Sequence, residues 1–164
     1  MTLIELILYI ALVAMFMAAL IQFSWNIIYG RVKSQVQLEV NQNMRLAAMR
    51  ISQEIKEAQT INSLSANSLS LNFKDSTRNP TVIDVNGGRL RLGVGSSGAC
   101  PAASPCPLTS NLVNVDNLTF TNLSQGNSKH IQFTITLSHL NESGRQEWDK
   151  TLEFVSSAEL RQPQ

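Results

Sequence analysis

Charged side chains are scarce in this sequence. Asp, Glu, Lys and Arg make up 15% of its 164 residues, against about 25% in a typical soluble protein. The shortage lies in the first thirty residues and in a second half that is rich in Ser, Thr and Asn. The 13 basic residues nearly balance the 12 acidic residues, so net charge indicates neither a nucleic-acid-binding protein nor a protein with acidic partners. The composition favours an extracellular coat over a cytosolic enzyme.

The residue patterns of catalytic and cofactor sites are also missing. His130 and His139 are the two histidines, and neither a serine nucleophile motif nor a carboxylate cluster accompanies them. The glycine-rich segment 93–98 leads into Ala-Cys-Pro, whereas a dinucleotide-binding loop leads into a helix. We therefore expect no enzymatic activity and no cofactor.

Cysteine is limited to Cys100 and Cys106, within a loop at 93–110 that is rich in Gly, Ser, Ala and Pro. A metal site would need three or four ligands, and nothing near these thiols supplies the others. In an exported protein the two cysteines would form a disulfide. The sequence therefore predicts a disulfide that stiffens a surface loop, with a metal site as the alternative.

No proline precedes Pro80, so nothing forces a break in the helical pattern that fills the first third of the chain. Gly30 weakens it only locally, by about 1 kcal/mol relative to Ala. We predict a mostly continuous helix from about Thr2 to about Thr60, roughly 90 Å long. Its second half carries an apolar stripe with helical spacing, made of Val32, Val36, Val40, Met44, Ala47, Ile51, Ile55 and Ala58.

The first part of this helix is apolar enough to cross a membrane. An unbroken apolar run extends from Leu6 to Ile21, and no charged residue lies between Glu5 and Arg31. The span from Met1 to Tyr29 exceeds the ~20 residues that a bilayer requires, and its far end carries aromatic rings suited to a membrane interface. No single small domain can cover so long a helix, so lipid or other subunits must bury the first half.

Glu5 is the one acidic residue in this apolar segment. A carboxylate near the end of a hydrophobic helix costs a few kcal/mol in lipid. The cost disappears if the carboxylate meets a buried positive charge, and the nearest candidate is an N-terminal amine. The amine of an axially shifted, identical copy could reach Glu5 more naturally than the chain's own amine. This geometry implies that identical subunits stack.

Beyond about residue 64 the hydrophobic period falls toward two, which is typical of β-strands. Alternation predicts strands at 69–73, 115–120 and 130–137. One hairpin is predicted at 82–92 through Asn86-Gly87-Gly88, and a second through 141–144 to a strand at about 147–155. Five or six strands would form an antiparallel sheet with the apolar stripe on one face. The fold class is therefore α+β, with segments 1–29, 30–61 and 62–164 as span, amphipathic helix and β-domain.

The stretch Thr2-Leu3-Ile4-Glu5-Leu6, with the aliphatic run and amphipathic helix that follow it, resembles the mature N-terminus of type IV pilins and pseudopilins. The resemblance is specific over about the first thirty residues. It implies the pilin ladle fold, cleavage by a prepilin peptidase just before Met1, methylation of the new amine and pairing of Glu5 with the amine of an adjacent subunit. Because Arg31 and Lys33 follow the span, we expect a basic leader that ends in Gly ahead of Met1.

The resemblance further implies a structural subunit of a type IV pilus-like surface filament, a helical homo-oligomer serving adhesion, motility or DNA uptake. Its implied partners are the prepilin peptidase, an inner-membrane assembly platform and an assembly ATPase. The subunit would wait in the cytoplasmic membrane and reach the cell surface on assembly. The alternatives are a minor pilin or type II secretion pseudopilin, and a membrane-anchored extracytoplasmic binding module that does not polymerise.

Direct contact with nucleic acid is not expected. The basic residues of the helix interleave with acidic ones, and the aromatic partners of a strand-binding groove are missing. These basic residues are Arg31, Lys33, Arg45 and Arg50. A solvated or subunit-facing surface explains them better.

Overall fold

The structure, a computed structural model, describes residues 2–126 and 128–161. One long helix, α1 (Leu3–Glu57, 55 residues), precedes a set of antiparallel β-strands. The α+β class predicted from the sequence is confirmed. The helix runs without interruption through Gln22 and Gly30, so its length is about 80 Å at 1.5 Å per residue. It ends where Ala58 turns to an extended conformation, with φ −67° and ψ 142°.

Two sheets, rather than the single sheet predicted, follow the helix. Their strands are β1 (Thr60–Ser65), β2 (Ser68–Asn72), β3 (Thr81–Asn86), β4 (Arg89–Val94), β5 (Cys106–Pro107), β6 (Val113–Asn122), β7 (His130–His139) and β8 (Thr151–Glu159). The first sheet has the order β1-β2-β3-β4-β5 and the second the order β6-β7-β8. The two-residue strand β5 carries Pro107, which has no N–H to offer a further strand and therefore suits the edge of the first sheet.

Both predicted hairpins are present, with small changes at their turns. Asn86 pairs with Arg89, so the turn consists of Gly87 and Gly88, whose φ angles of 58° and 70° suit glycine. In the second hairpin β8 begins at Thr151 rather than near residue 147. A 3-10 turn occupies Gln146–Trp148 and delays the start of the strand.

The two sheets are joined through the edge of β6. The backbone N–H of Val115 donates to the carbonyl of Gly88 at 2.8 Å, and that of Phe120 donates to the carbonyl of Ala66 at 3.0 Å. The acceptors lie in the hairpin turns of the first sheet. These contacts satisfy groups that an open edge strand would leave unpaired.

The amphipathic half of α1 packs on the second sheet, chiefly against β7 and β8, and its apolar stripe joins buried residues of both sheets in one cluster. Residues of the stripe from Val36 to Ala58 are buried, whereas Val32, next to the exposed half of α1, is half-buried. The central strand β7 presents alternate side chains to the helix, and Ile131, Phe133 and Ile135 are completely buried. A single apolar core therefore lies between the helix and the strands.

A buried ion network attaches the C-terminal end of α1 to the β-strands. Glu54 is 0% exposed and contacts Arg50 at 2.9 Å and Arg78 at 2.7 Å. The same Arg78 donates to Glu57 at 2.8 Å, and its guanidinium lies 4.0 Å from the centroid of the Phe73 ring. Arg78 reaches over from the β2–β3 connection and neutralises the Glu54 carboxylate inside the interface.

A second polar contact attaches α1 to the β-strands about three turns nearer to the N-terminus of the helix. The side-chain carbonyl of Asn43 accepts from the backbone N–H of Ser110 at 2.9 Å. The Ser110 hydroxyl donates to Glu39 at 2.8 Å. Together with the ion network, this contact sets the rotation of the helix relative to the strands.

We expect Arg78→Met to lower the free energy of unfolding by about 3 kcal/mol, because Glu54 would lose one of its two cations while remaining buried. Urea unfolding of the full chain in detergent micelles, followed by Trp148 fluorescence in a Trp25→Phe background, measures this. The double variant Glu54→Leu with Arg78→Met should recover much of the loss. A double variant as unstable as the single one would contradict this account.

The same network predicts a pH dependence. Hydrogen bonds from Arg78 and then from Gln53 hold the pKa of Glu57 below its ordinary value of 4.5. The folded state therefore binds this proton less readily than the unfolded chain, and the stabilisation is present above about pH 4.5 and is lost as the pH falls through the lowered pKa. Lowering the pH below 4.5 should therefore reduce the free energy of unfolding of the Arg78→Met variant by less than that of the parent.

Candidate membrane and assembly surface

The first half of α1 has no cover from its own domain. Every residue from 2 to 31 is exposed, and an 18-residue window of this helix has a mean hydropathy of 2.6 with none of it buried. Its length and composition are therefore compatible with membrane anchoring. The large apolar side chains it exposes include Leu3, Ile4, Leu6, Ile7, Leu8, Ile10, Leu12, Val13, Met15, Phe16, Leu20, Ile21 and Phe23.

Glu5 is exposed at the start of this apolar segment. Its carboxylate accepts a hydrogen bond of 3.4 Å from the backbone N–H of Thr2, which caps the first turn of the helix. Among the residues that the structure describes, Glu5 forms no ion pair. The carboxylate therefore keeps acceptor capacity for a cation that another molecule could supply.

The predictions that involve Met1, namely peptidase cleavage before it, methylation of its amine and its pairing with Glu5, lie outside the described residues. The resemblance to pilins stays a prediction. Comparisons of the chain with protein-family models, with curated proteins and with solved structures found no match.

Aromatic rings mark the far end of the apolar segment. Trp25 and Tyr29 are one turn apart and stack with their centroids 6.0 Å apart. Such rings settle at the interface between hydrocarbon and headgroups. The next charged residue, Arg31, follows directly, so the sequence of apolar core, aromatic belt and charge matches the depth profile of a bilayer.

Two amides interrupt the apolar surface on one side. Gln22 precedes Val40 by five helical turns, and Asn26 precedes Met44 by the same distance, at about 3.6 residues per turn. Because Val40 and Met44 are buried against the strands, Gln22 and Asn26 lie on the face beneath the domain. Amide side chains on a membrane helix favour hydrogen bonds to neighbouring helices.

The amphipathic half also exposes apolar side chains, on the side away from the domain. Leu38, Leu46 and Met49 are 58%, 47% and 55% exposed. Each lies two residues from buried stripe residues, which is about 200° around the helix. These three residues were not predicted from the sequence, although their offset of two from the stripe places them opposite it.

This apolar back face lies outside the reach of a bilayer. Leu38 is about 20 Å further along the axis than Trp25, at 1.5 Å per residue, and Met49 is further still. A hydrocarbon core of about 30 Å that contains the segment before Trp25 cannot also cover them. Another protein surface is needed if they are to be buried.

The predicted disulfide joins Cys100 and Cys106, whose Cα atoms are 5.4 Å apart. The loop it closes packs on β4, where the N–H of Val94 donates to the carbonyl of Cys100 at 2.8 Å. Gly93 is required here, because a Cβ at this position would lie 2.7 Å from the Cα of Ala102. The disulfide therefore holds a loop at the edge of the first sheet.

The histidines do not form a site with other polar groups. His139 is buried, and its ring lies edge-on to Trp148 with centroids 5.2 Å apart. Over residues 2–126 and 128–161, no group of three or more His, Cys, Asp or Glu side chains is arranged to hold a metal ion. The alternative of a metal site at the cysteines is set aside because the two sulfurs are bonded to each other.

We expect the double variant Cys100→Ser with Cys106→Ser to lower the free energy of unfolding by about 2 kcal/mol, the loop-entropy contribution of so short a crosslink. Without the disulfide the loop would also pack less firmly on β4, and the edge of that strand would become exposed. Urea unfolding and limited proteolysis at residues 95–105 measure both effects. The parent protein treated with a reductant should behave like the variant, and a stability equal to that of the oxidised parent would contradict the prediction.

Proposed function

We propose that this chain is a structural subunit of a type IV pilus-like surface filament that polymerises through its N-terminal helix. The observation that supports the proposal most strongly is the extent of the exposed apolar surface of α1. It extends from Leu3 to Phe23 in the span and reappears at Leu38, Leu46 and Met49 above it. A bilayer can cover the first part but not the second, whereas a bundle of parallel helices can cover both.

Glu5 gives this bundle a register. In the assembled state its carboxylate pairs with the N-terminal amine of a neighbouring copy that is displaced along the axis. A charge pair in low-dielectric surroundings is strongly favoured over an isolated carboxylate in lipid. The pairing therefore rewards one particular axial offset between copies, and repetition of that offset produces a filament.

The membrane holds the subunit before assembly. The apolar segment spans the bilayer with Trp25 and Tyr29 at its outer interface, and the β-strands lie outside. Transfer to the filament exchanges lipid contacts for helix contacts, which costs little because both surroundings are apolar. Cleavage by a prepilin peptidase, an inner-membrane platform and an assembly ATPase belong to this proposal as the machinery that drives the transfer. The subunit supplies no catalysis.

A non-polymerising membrane anchor is the second candidate. The exposed span alone is compatible with it, since lipid satisfies every residue from 6 to 29 except the polar ones. The exposed apolar side chains of Leu38, Leu46 and Met49 favour the filament. A minor pilin or a type II secretion pseudopilin shares the same helix and differs in abundance, which the yield of the N-terminal peptide in sheared filaments would measure.

We expect Glu5→Ala to abolish filament formation while leaving the chain in the membrane, because removing the carboxylate removes the pairing partner and also the cost of placing it in lipid. The measurement is an immunoblot of the sheared surface fraction and the membrane fraction from intact cells. A drop of at least tenfold in the sheared fraction is the expected result.

Glu5→Gln is the matched control. Its amide oxygen can still accept from Thr2 N–H but carries no charge. If charge pairing drives assembly, both variants lose filaments. If Glu5 serves only as a helix cap, Glu5→Gln assembles like the parent. Full assembly and unchanged localisation of both variants would contradict the proposed role of Glu5 in assembly.

A further inference from the structure

An open cleft lies where the apolar part of α1 meets the underside of the domain. The helix contributes Tyr29, Gly30 and Lys33, and the 3-10 turn before β8 contributes Gln146 and Glu147, with Arg145 at its N-cap. The cleft has free space beside Gly30, since nothing lies within 4 Å of a Cβ built there. The cleft therefore has one wall from the helix and one from the domain.

The domain wall of the cleft is held in a defined position. The Asn141 side chain donates to the carbonyl of Arg145 at 2.8 Å and accepts from its backbone N–H at 3.1 Å. At the other end of the turn, Trp148 lies against the buried ring of His139. These contacts fix the backbone that presents Arg145 and Glu147 to the helix.

The cleft lies at the depth of lipid headgroups when the helix spans a bilayer. Tyr29 is about 6 Å beyond Trp25 along the axis, and the headgroup layer on each side of the hydrocarbon core is about 5–8 Å thick. An acyl chain attached to a headgroup in the cleft would run down the exposed face of the helix. Gln22 and Asn26 lie on that face, where their amides could meet the ester groups of the lipid.

The charges in the cleft match a zwitterionic phosphate ester. Lys33 and Arg145 are cations, and Arg145 is 66% exposed, so its guanidinium is available to a phosphate. Glu147 lies 4.0 Å from the guanidinium of Arg145, at the limit of an ion pair, and keeps acceptor capacity for an ammonium group. Two cations beside one carboxylate suit a phosphate next to an amine.

We propose that this cleft binds the headgroup of a phosphatidylethanolamine molecule, with Lys33 and Arg145 on its phosphate and Glu147 on its ammonium group. The bound lipid seats the domain against the membrane and sets its tilt before assembly. The inference rests on the membrane-embedded state in the proposed function. It adds a lipid partner that must be released when the subunit leaves the bilayer.

The experiment is native mass spectrometry of the full chain released from nanodiscs that contain phosphatidylethanolamine, phosphatidylglycerol and phosphatidylcholine in equal parts. The parent should retain one phosphatidylethanolamine in preference to the other two. Arg145→Gln and Lys33→Gln should each reduce retention about fivefold, the typical effect of one basic residue near a membrane surface. Glu147→Gln should shift the preference from phosphatidylethanolamine to phosphatidylglycerol.

Two control variants separate a built site from general attraction. Arg31 is at the same depth but about 200° around the helix from Lys33, so Arg31→Gln should leave retention unchanged. Gly30→Leu should displace the lipid by filling the cleft, whereas Gly30→Ala should not. If Arg31→Gln lowers retention as much as Arg145→Gln, or if all three lipids are retained equally, the proposed site is overturned.

Failure of this inference is distinguishable from failure of the proposed function. Lipid retention is measured on the single subunit and does not depend on polymerisation, so the Glu5→Ala variant should retain phosphatidylethanolamine like the parent. A chain that assembles in a Glu5-dependent manner but retains no preferred lipid would remain a filament subunit without a lipid site.

Discussion

The structure depends on one mismatch, between a helix of 55 residues and a set of strands that can bury only its second half. The buried residues of α1 begin at Val36 and end at Ile55, and nothing in the described chain covers the residues before Arg31. Apolar surface left in water costs about 25 cal/mol per Å². The exposed half would be stabilised by an apolar environment from outside the chain, and lipid or other helices can provide one.

The polar contacts between helix and strands determine which way each face of the helix points. Arg78 and Ser110 bind the helix from two connections that lie far apart in sequence, so they hold the helix in one rotation about its axis relative to the domain. The apolar back face with Leu38 and Met49, and the face beneath the domain with Gln22 and Asn26, consequently have fixed directions. A neighbouring molecule meets the same arrangement of surfaces on every copy, which is a condition for regular assembly.

The sequence predicts those features that depend on local periodicity. The uninterrupted helix, its stripe from Val36 to Ala58 and the strands other than β1 and β5 were accessible in this way, whereas the disulfide between Cys100 and Cys106 was predicted from the cysteine count. The split into two sheets was not, because it follows from where the chain crosses after Pro107. Nor was the burial of Glu54, which depends on Arg78 arriving from more than twenty residues away to neutralise it. Periodicity describes one element at a time and does not contain such pairings.

The exposed apolar side chains that follow the span provide a reason for the proposed transfer of a subunit from the membrane to a filament. In lipid the span is fully solvated by hydrocarbon, so helix packing offers it little further gain. Leu38, Leu46 and Met49 are in water in that state, and their burial by a neighbour would contribute about 1 kcal/mol each. Pairing of Glu5 would also remove the free-energy cost that its unpaired carboxylate bears in lipid. In the proposed filament, the favourable free-energy terms would thus come from the two ends of the apolar surface, which lipid does not stabilise, while the span between them would set the direction of the axial offset between copies.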